Sequence, residues 1–220
     1  MGLLPKLLPA GFLRKMSYPA MRTVLLTLAL LTTTAAAAPP ARRAELTKGG
    51  GRFHLEGAGG LAADFARALP MLRGFAGYEG WALKDINKPR GGRKKAYMIS
   101  INGLKYEPAR ERFRFFYSFK RLFKGKYVLN LRVENRLDEK PPRLIAKLET
   151  PTRMVKDVRV ELIFHFPKEE GNLDVELKAE AASHWIFYHL VPLRLLRANA
   201  EDRVLTVFEN ADRKFAAAGP

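Results

Sequence analysis

From Trp81 to Ala182 apolar residues recur at every second position, and a run patterned this way is most simply an antiparallel sheet with one wet and one dry face. Tyr97, Ile99 and Ile101 share one face, and so do Phe113, Phe115, Tyr117 and Phe119. Tyr127, Leu129, Leu131 and Val133 alternate with Asn130, Arg132 and Glu134. Further on, Val158, Val160, Leu162, Phe164 and Phe166 alternate with Arg159, Glu161 and His165, and Leu173, Val175, Leu177 and Ala179 with Asp174, Glu176, Lys178 and Glu180. Turn-forming segments separate these runs: KPRGG at 88–92, FKGK at 123–126, DEKPP at 138–142 and PKEEGN at 167–172.

Helical periods flank the sheet region. Leu61, Phe65, Ala68 and Leu72 are spaced for a helix that Pro70 should end or kink, after a short strand over Arg52–Glu56 and the glycines of 57–60. Near the C-terminus, Val204, Phe208, Ala211 and Phe215 stand four, three and four residues apart on a charged segment, which predicts a long amphipathic helix. Asn199 is the expected N-cap, with Glu201 and Asp202 in the positively polarised first turn. The order is a strand, helices, about six consecutive antiparallel strands and a closing helix, an α+β arrangement.

The N-terminal segment reads differently. In MRTVLLTLALLTTTAAAA, at 21–38, Arg22 is a positive start, Val24 to Leu31 an apolar core and the alanine run a cleavage region. The apolar core is far shorter than the roughly 20 residues of a membrane-spanning helix, so cleavage is expected rather than anchoring. Residues 1–20 are a long n-region or an upstream extension, with Met16 and Met21 as alternative starts. The expected organisation is an extension and secretory signal at 1–38, a flexible leader rich in proline, glycine and charge at 39–51, and one domain at 52–220, exported to the periplasm or secreted. There is no cysteine, which excludes disulfides, a lipid-modified cysteine anchor and thiolate metal sites, and leaves a packed core to stabilise the domain alone.

The chain carries a formal net charge of +17, of which the first 38 residues, with four basic and no acidic groups, account for 4. Residues 84–126 hold 14 basic and 3 acidic groups, whereas 127–220 hold 15 of each. A field concentrated in one stretch attracts anionic surfaces or ligands, or it is a solvated face that aids solubility.

The strand LDVELKAEA, followed by HWIFYHLVPLRLLRANAEDRVLTVFENADRKF, resembles the last strand, aromatic and proline-containing bend and C-terminal helix of the START-like superfamily, also called SRPBCC or the polyketide cyclase and lipid transport superfamily. The similarity runs over roughly residues 52–217 and rests on pattern, because that superfamily has no invariant short motif. It implies a helix-grip fold: a curved antiparallel sheet of about six or seven strands wrapped around the long C-terminal helix. It also implies a cavity for a hydrophobic or amphipathic small molecule, with a cyclase- or hydrolase-like enzyme or a filled, partner-binding domain as alternatives.

On that reading Trp81, Tyr97, Ile99, Phe115, Tyr117, Tyr127, Leu129, Phe164, Trp185 and Phe208 are the candidate pocket lining, although the same aromatics serve equally as ordinary core. Arg93, Lys94, Lys95, Lys120, Arg121, Lys124 and Lys126 lie in or beside predicted turns and are candidates for contact with an anionic membrane surface, with Leu122 and Phe123 inserting shallowly. Nucleic acid competes for such a patch, but export argues against it. No catalytic residue, metal ligand or cofactor is nominated. His184 and His189 are five apart across a bend, which is not zinc-site spacing, and His165 falls on a wet strand face. His54 is a minority candidate for the cavity, Asp64 is expected to cap or face solvent, and oligomeric state is not readable.

Overall fold

Alternating residues become strands, as the periodicity demands, and among the described residues the strands number eight rather than six or seven. A computed structural model describes residues 41–61, 63, 65–75, 77–90, 98–119, 125–165 and 173–216. The strands are β1 (Arg43–Gly49), β2 (Arg52–Leu61), β3 (Ile99–Glu107), β4 (Arg112–Phe119), β5 (Gly125–Arg136), β6 (Arg143–Leu148), β7 (Val155–His165) and β8 (Leu173–Ser183). They form one sheet in the order β1-β2-β8-β7-β6-β5-β4-β3, antiparallel throughout. Helices α1 (Phe65–Gly74) and α2 (Tyr78–Ala82) lie between β2 and β3, and α3 (Trp185–Leu190) and α4 (Leu193–Ala216) follow β8. Among the described residues no helix is long and apolar enough to cross a membrane.

Register places the dry faces side by side. Gly57, Leu177, Leu162 and Leu144 are paired in turn across β2, β8, β7 and β6, and Phe115 and Phe113 stand opposite Leu129 and Leu131 on β4 and β5. Onto this concave surface α4 turns Val204, Phe208, Ala211 and Phe215, all buried. The convex face is charged: Lys147 and Arg136 reach Glu134 at 2.6 and 2.9 Å, and Arg112 reaches Glu107 and Glu149 at 2.7 and 3.2 Å.

Four expectations need correction. The segment 39–51, read as a flexible leader, contains β1, an edge strand whose Ala44 and Leu46 face inward while charged neighbours face out. An edge strand leaves one set of backbone groups unpaired, and here α4 supplies the partners. Glu201 Oε1 accepts from the Leu46 amide at 3.0 Å, and Arg197 Nε donates to the Leu46 carbonyl at 3.2 Å. Arg42, just before β1, donates to Asp212 at 2.6 Å.

The short strand expected over Arg52–Glu56 runs on through the glycines of 57–60 to Leu61 as β2. Gly57 lies beneath α4, where a Cβ would sit 2.9 Å from Val204 Cγ1, so this crossing requires the absence of a side chain. Pro70 lies within α1 and does not end it, since the helix runs on to Gly74. Asn199 is not an N-cap, because α4 begins six residues earlier, where the Pro192 carbonyl accepts from the Leu195 and Leu196 amides. Asn199 is buried inside the helix, its Nδ2 donating to the Leu195 carbonyl one turn earlier at 2.6 Å.

Gly57→Val should lower stability by about 1–3 kcal/mol through overpacking against Val204. Thermal melts will show the loss, and Gly57→Val combined with Val204→Ala should cost less than the two single losses added together.

Candidate functional site: an apolar cavity under the C-terminal helix

The sheet and α4 do not fill the space between them. A lobe of about 440 Å³ is walled by the dry faces of the strands, by Phe75, Tyr78 and Trp81 from the α1–α2 region, and by Val204, Val207 and Phe208 of α4. A second lobe of about 310 Å³ lies among Leu46 and Phe53 of the first hairpin, Tyr117 and Phe119 of β4, and Phe187 of α3. Ile101, Phe115, Ala200 and Arg203 line both, so the lobes adjoin across these four residues.

Local sequence explains the walls. At one end an aromatic cluster packs edge and face, with Phe75 4.8 Å from Tyr106 and 5.3 Å from Phe113, Tyr78 5.0 Å from Trp81, and Trp81 6.0 Å from Phe215. The α2 end of this cluster is fixed to α4 by Asn210, which is buried and donates to the carbonyls of Ala82 and Lys84 at 3.0 and 2.8 Å. Arg203 donates to the Ile86 carbonyl at 3.3 Å and to that of Ile99, and so ties the 83–88 turn and the start of β3 to the helix. Asn87 completes this join, accepting from the Ile101 amide at 2.9 Å and donating to its carbonyl at 2.7 Å.

Of the ten residues nominated as lining, Trp81, Phe164 and Phe208 border the larger lobe, Ile99, Tyr117 and Leu129 the smaller, and Phe115 both. Tyr97 lies outside the described residues. Tyr127 borders neither lobe. It stacks on Tyr117 at 5.4 Å and, with Lys126, borders a separate groove.

Trp185 is a correction: its side chain is 69% exposed on α3. Residues 185, 186, 189 and 190 form one face of that short helix, and Ile186 and Leu190 are exposed with it, whereas Phe187 and Val191 pack inward with Phe53. Lys48 donates to the Tyr188 carbonyl and lies 4.1 Å from the Tyr188 ring, which holds the helix in this orientation.

Of the seven basic candidates only Lys126 is described, and it is exposed at the start of β5. Arg93, Lys94, Lys95, Lys120, Arg121 and Lys124 lie outside the described residues, as do Leu122, Phe123 and Asp64. His54 is on the outer side of β2, 3.6 Å from Glu180, and does not line either lobe. His165 faces Glu176 at 3.3 Å, and His184 donates to the Thr152 carbonyl at 3.2 Å. Among the described residues no three histidine or carboxylate side chains converge as a metal site requires.

Sequence reasoning missed Phe75, Tyr78, Phe113 and Arg203. Phe113 belonged to a recognised strand face, and Arg203 directly precedes Val204 on the helix. Each was legible once the register of the neighbouring element was known.

The lobes are apolar with a few polar points. The hydroxyls of Tyr78 and Tyr117 find no hydrogen-bond partner among the described residues. Burial pushes both phenols up, and Tyr117 reaches about 12 with the neighbouring Tyr127 adding to the shift. On the convex face the opposite holds: the hydrogen bond from Lys147, with that from Arg136, keeps the Glu134 carboxyl below its usual range. Such carboxylates stay ionised beside their cations and are not poised for proton transfer near neutrality.

Tyr117 ionises near 10 in the unfolded chain and at about 12 in the fold, so the folded state holds its proton through an interval in which the unfolded state releases it. Stability should fall as pH rises from 10 to 12, with Tyr117 contributing about 2 kcal/mol to the drop. Denaturant titrations at several pH values should show a shallower alkaline decline for Tyr117→Phe than for the unaltered chain.

No protein-family model matches the sequence, and no curated protein matches it. Solved structures similar to the chain include a START superfamily protein from Mycobacterium smegmatis, at 10% identity and a TM-score of 0.49, covering 76% of this chain and 99% of that one. A major latex-like protein from Panax ginseng is 12% identical with a TM-score of 0.45, covering 76% and 99%. Norcoclaurine synthase from Thalictrum flavum, solved with dopamine and hydroxybenzaldehyde, is 11% identical with a TM-score of 0.45, covering 80% and 90%. Among the described residues eight antiparallel strands grip one long C-terminal helix, with two short helices between the second and third strands, and this is a helix-grip fold.

Proposed function

We propose that the chain is an extracytoplasmic binding protein for a hydrophobic or amphipathic small molecule, which it holds between the sheet and α4. The observation that carries this reading is the lobe of about 440 Å³ and its apolar walls. Leaving an apolar lobe of that size unfilled forgoes the dispersion contacts and apolar burial that an occupant would supply. Water gains little against walls with so few polar partners. An apolar ligand recovers the lost dispersion and hydrophobic terms, and the volume suits a lipid-sized or drug-sized molecule. Among the described residues neither lobe is lined by a carboxylate or an imidazole, and this favours binding over acid–base turnover.

Contact with an anionic membrane is the second part of the reading. Trp185, Ile186, Leu190 and Leu195 are 69%, 44%, 58% and 42% exposed, and the stretch from His184 to Asn199 holds two arginines, two histidines and no carboxylate. Exposed tryptophan and aliphatic groups beside cations suit the boundary between acyl chains and anionic head groups. The basic segments around 88–95 and 120–126 add to the same attraction in this proposal. Export is the third part of the proposal, and the signal-like segment at 21–38 supports it; cleavage near Ala38 would leave β1 intact.

Protein purified from an export-competent host should carry co-purifying lipid or amphiphile in its organic extract, and its intact mass should match a start near residue 39. A clean extract, with no displacement of a hydrophobic dye by any amphiphile, would remove the binding proposal; an intact mass retaining residues 1–38 would remove export.

Ala200→Phe, placed where the lobes adjoin, should reduce dye uptake at least severalfold without a large loss in melting temperature. Flotation with vesicles containing phosphatidylglycerol should be strong at low salt, weak at high salt, and reduced by Trp185→Ala with Leu190→Ser.

A further inference from the structure

A molecule enters the lobes only where a wall yields, and the walls are held unequally. The strands are hydrogen-bonded in one continuous ladder, while α4 is tied to β1 on one flank and to the end of α2 and the start of β3 on the other. Helix α3 is held more lightly. Among the described residues, the hydrogen bond that ties its body to another element is the one from Lys48 to the Tyr188 carbonyl, with the same ammonium 4.1 Å from the Tyr188 ring.

Both ends of α3 are pinned. The His184 amide donates to the Met154 carbonyl at 3.1 Å and its ring to the Thr152 carbonyl at 3.2 Å, and at the other end Val191 is fully buried. These two residues have extended backbone, so the six residues of α3 are a short rigid piece between two non-helical joints. Element-terminal residues of this kind take up the dihedral change when a segment swings.

The two faces of α3 meet different surroundings. Phe187 walls the smaller lobe, its ring 6.4 Å from Phe53 and 5.7 Å from Phe119. Trp185, Ile186 and Leu190 are exposed on the outside. An outward swing takes Phe187 off the lobe, and in water that exposure of a large apolar ring is opposed. At the edge of the acyl layer the ring is buried instead, which shifts a closed-to-open ratio by roughly ten- to a hundredfold. A surface favours one conformation only through such a difference in affinity. The arginines and histidines of 184–199, with no carboxylate among them, bring the segment to anionic head groups.

On the cavity and membrane-contact readings, we propose that α3 is a membrane-operated gate to the smaller lobe. Lys48 latches it shut in water. Insertion of Trp185, Ile186 and Leu190 among anionic lipids swings Phe187 aside, and the ligand passes between lobe and bilayer without crossing water.

The full chain, loaded with Nile red, is mixed with acceptor vesicles and the dye transfer is timed. Transfer to phosphatidylcholine vesicles should be slow and independent of vesicle concentration, because the dye leaves through water. Vesicles containing phosphatidylglycerol should accept it at least tenfold faster, at a rate that rises with their concentration. Lys48→Met keeps an apolar chain over the rings and removes the donor, so it should speed transfer to phosphatidylcholine about three- to tenfold. Asn87→Ala, which loosens the opposite wall at β3, should leave that rate unchanged. Trp185→Ala with Leu190→Ser should lose the acceleration by phosphatidylglycerol and keep the dye affinity.

Equal rates to the two vesicle types, with flotation on phosphatidylglycerol intact, overturn the gate. So does a Lys48→Met chain that transfers at the unaltered rate, or an Asn87→Ala chain that transfers as fast as Lys48→Met. Lost flotation overturns the membrane reading, and absent dye uptake the cavity reading, each taking the gate with it. The rates of the unaltered chain decide should a variant fail to fold.

Discussion

Helix α4 is moored along both flanks, and that suspension sets the rest of the architecture. On one side Glu201, Arg197 and Asp212 bond the edge strand β1 and the arginine before it. On the other, Arg203 and Asn210 bond the end of α2, the turn after it and the start of β3. Between these moorings the apolar stripe of Val204, Phe208, Ala211 and Phe215 points at the sheet. The polar flanks fix the helix over the edges of the concave surface, and the residues of the stripe do not reach every part of its floor. The cavity is the remainder of that geometry.

Period-two alternation made β3 to β5, β7 and β8 legible, because the wet and dry faces of each strand carry different residue types. It failed for β1, where Ala44 and Leu46 are the only apolar residues on the inward face and the flanking charges and glycines resemble a linker. Nor does sequence show that an edge strand will obtain its missing hydrogen bonds from side chains 155 and 151 residues later. Gly57 was misread because its role is set by Val204, far along the chain. A six-residue helix holding Trp185, Ile186, Phe187, Tyr188 and Leu190 has no polar face to mark the outside, so the exposure of Trp185 depends on Lys48 and Phe53. For the site, seven of the ten nominated residues border the lobes because large residues on dry strand faces border whatever space the sheet encloses.

Function divides along the same axis. The larger lobe offers area without direction, and dispersion forces there distinguish ligands mainly by size and shape. The smaller lobe is largely apolar as well, with Tyr117, Asn199 and Arg203 among the residues that border it. Phe187 of α3 borders this lobe from within while Trp185 and Leu190 of the same helix face outward. One short element thus connects the candidate membrane-facing surface to the smaller lobe.

The clasp between β1 and α4 also constrains how the chain reaches this state. Arg42 and Asp212 are 170 positions apart, and few contacts could lie further apart in a chain of this length. Loop-closure entropy rises with such separations, and folds dominated by distant pairings form slowly, over milliseconds to seconds. During synthesis the first strand has no helix to bond until residues 151 and 155 positions further on have left the ribosome. Until then the outward amide and carbonyl of Leu46 stay hydrated.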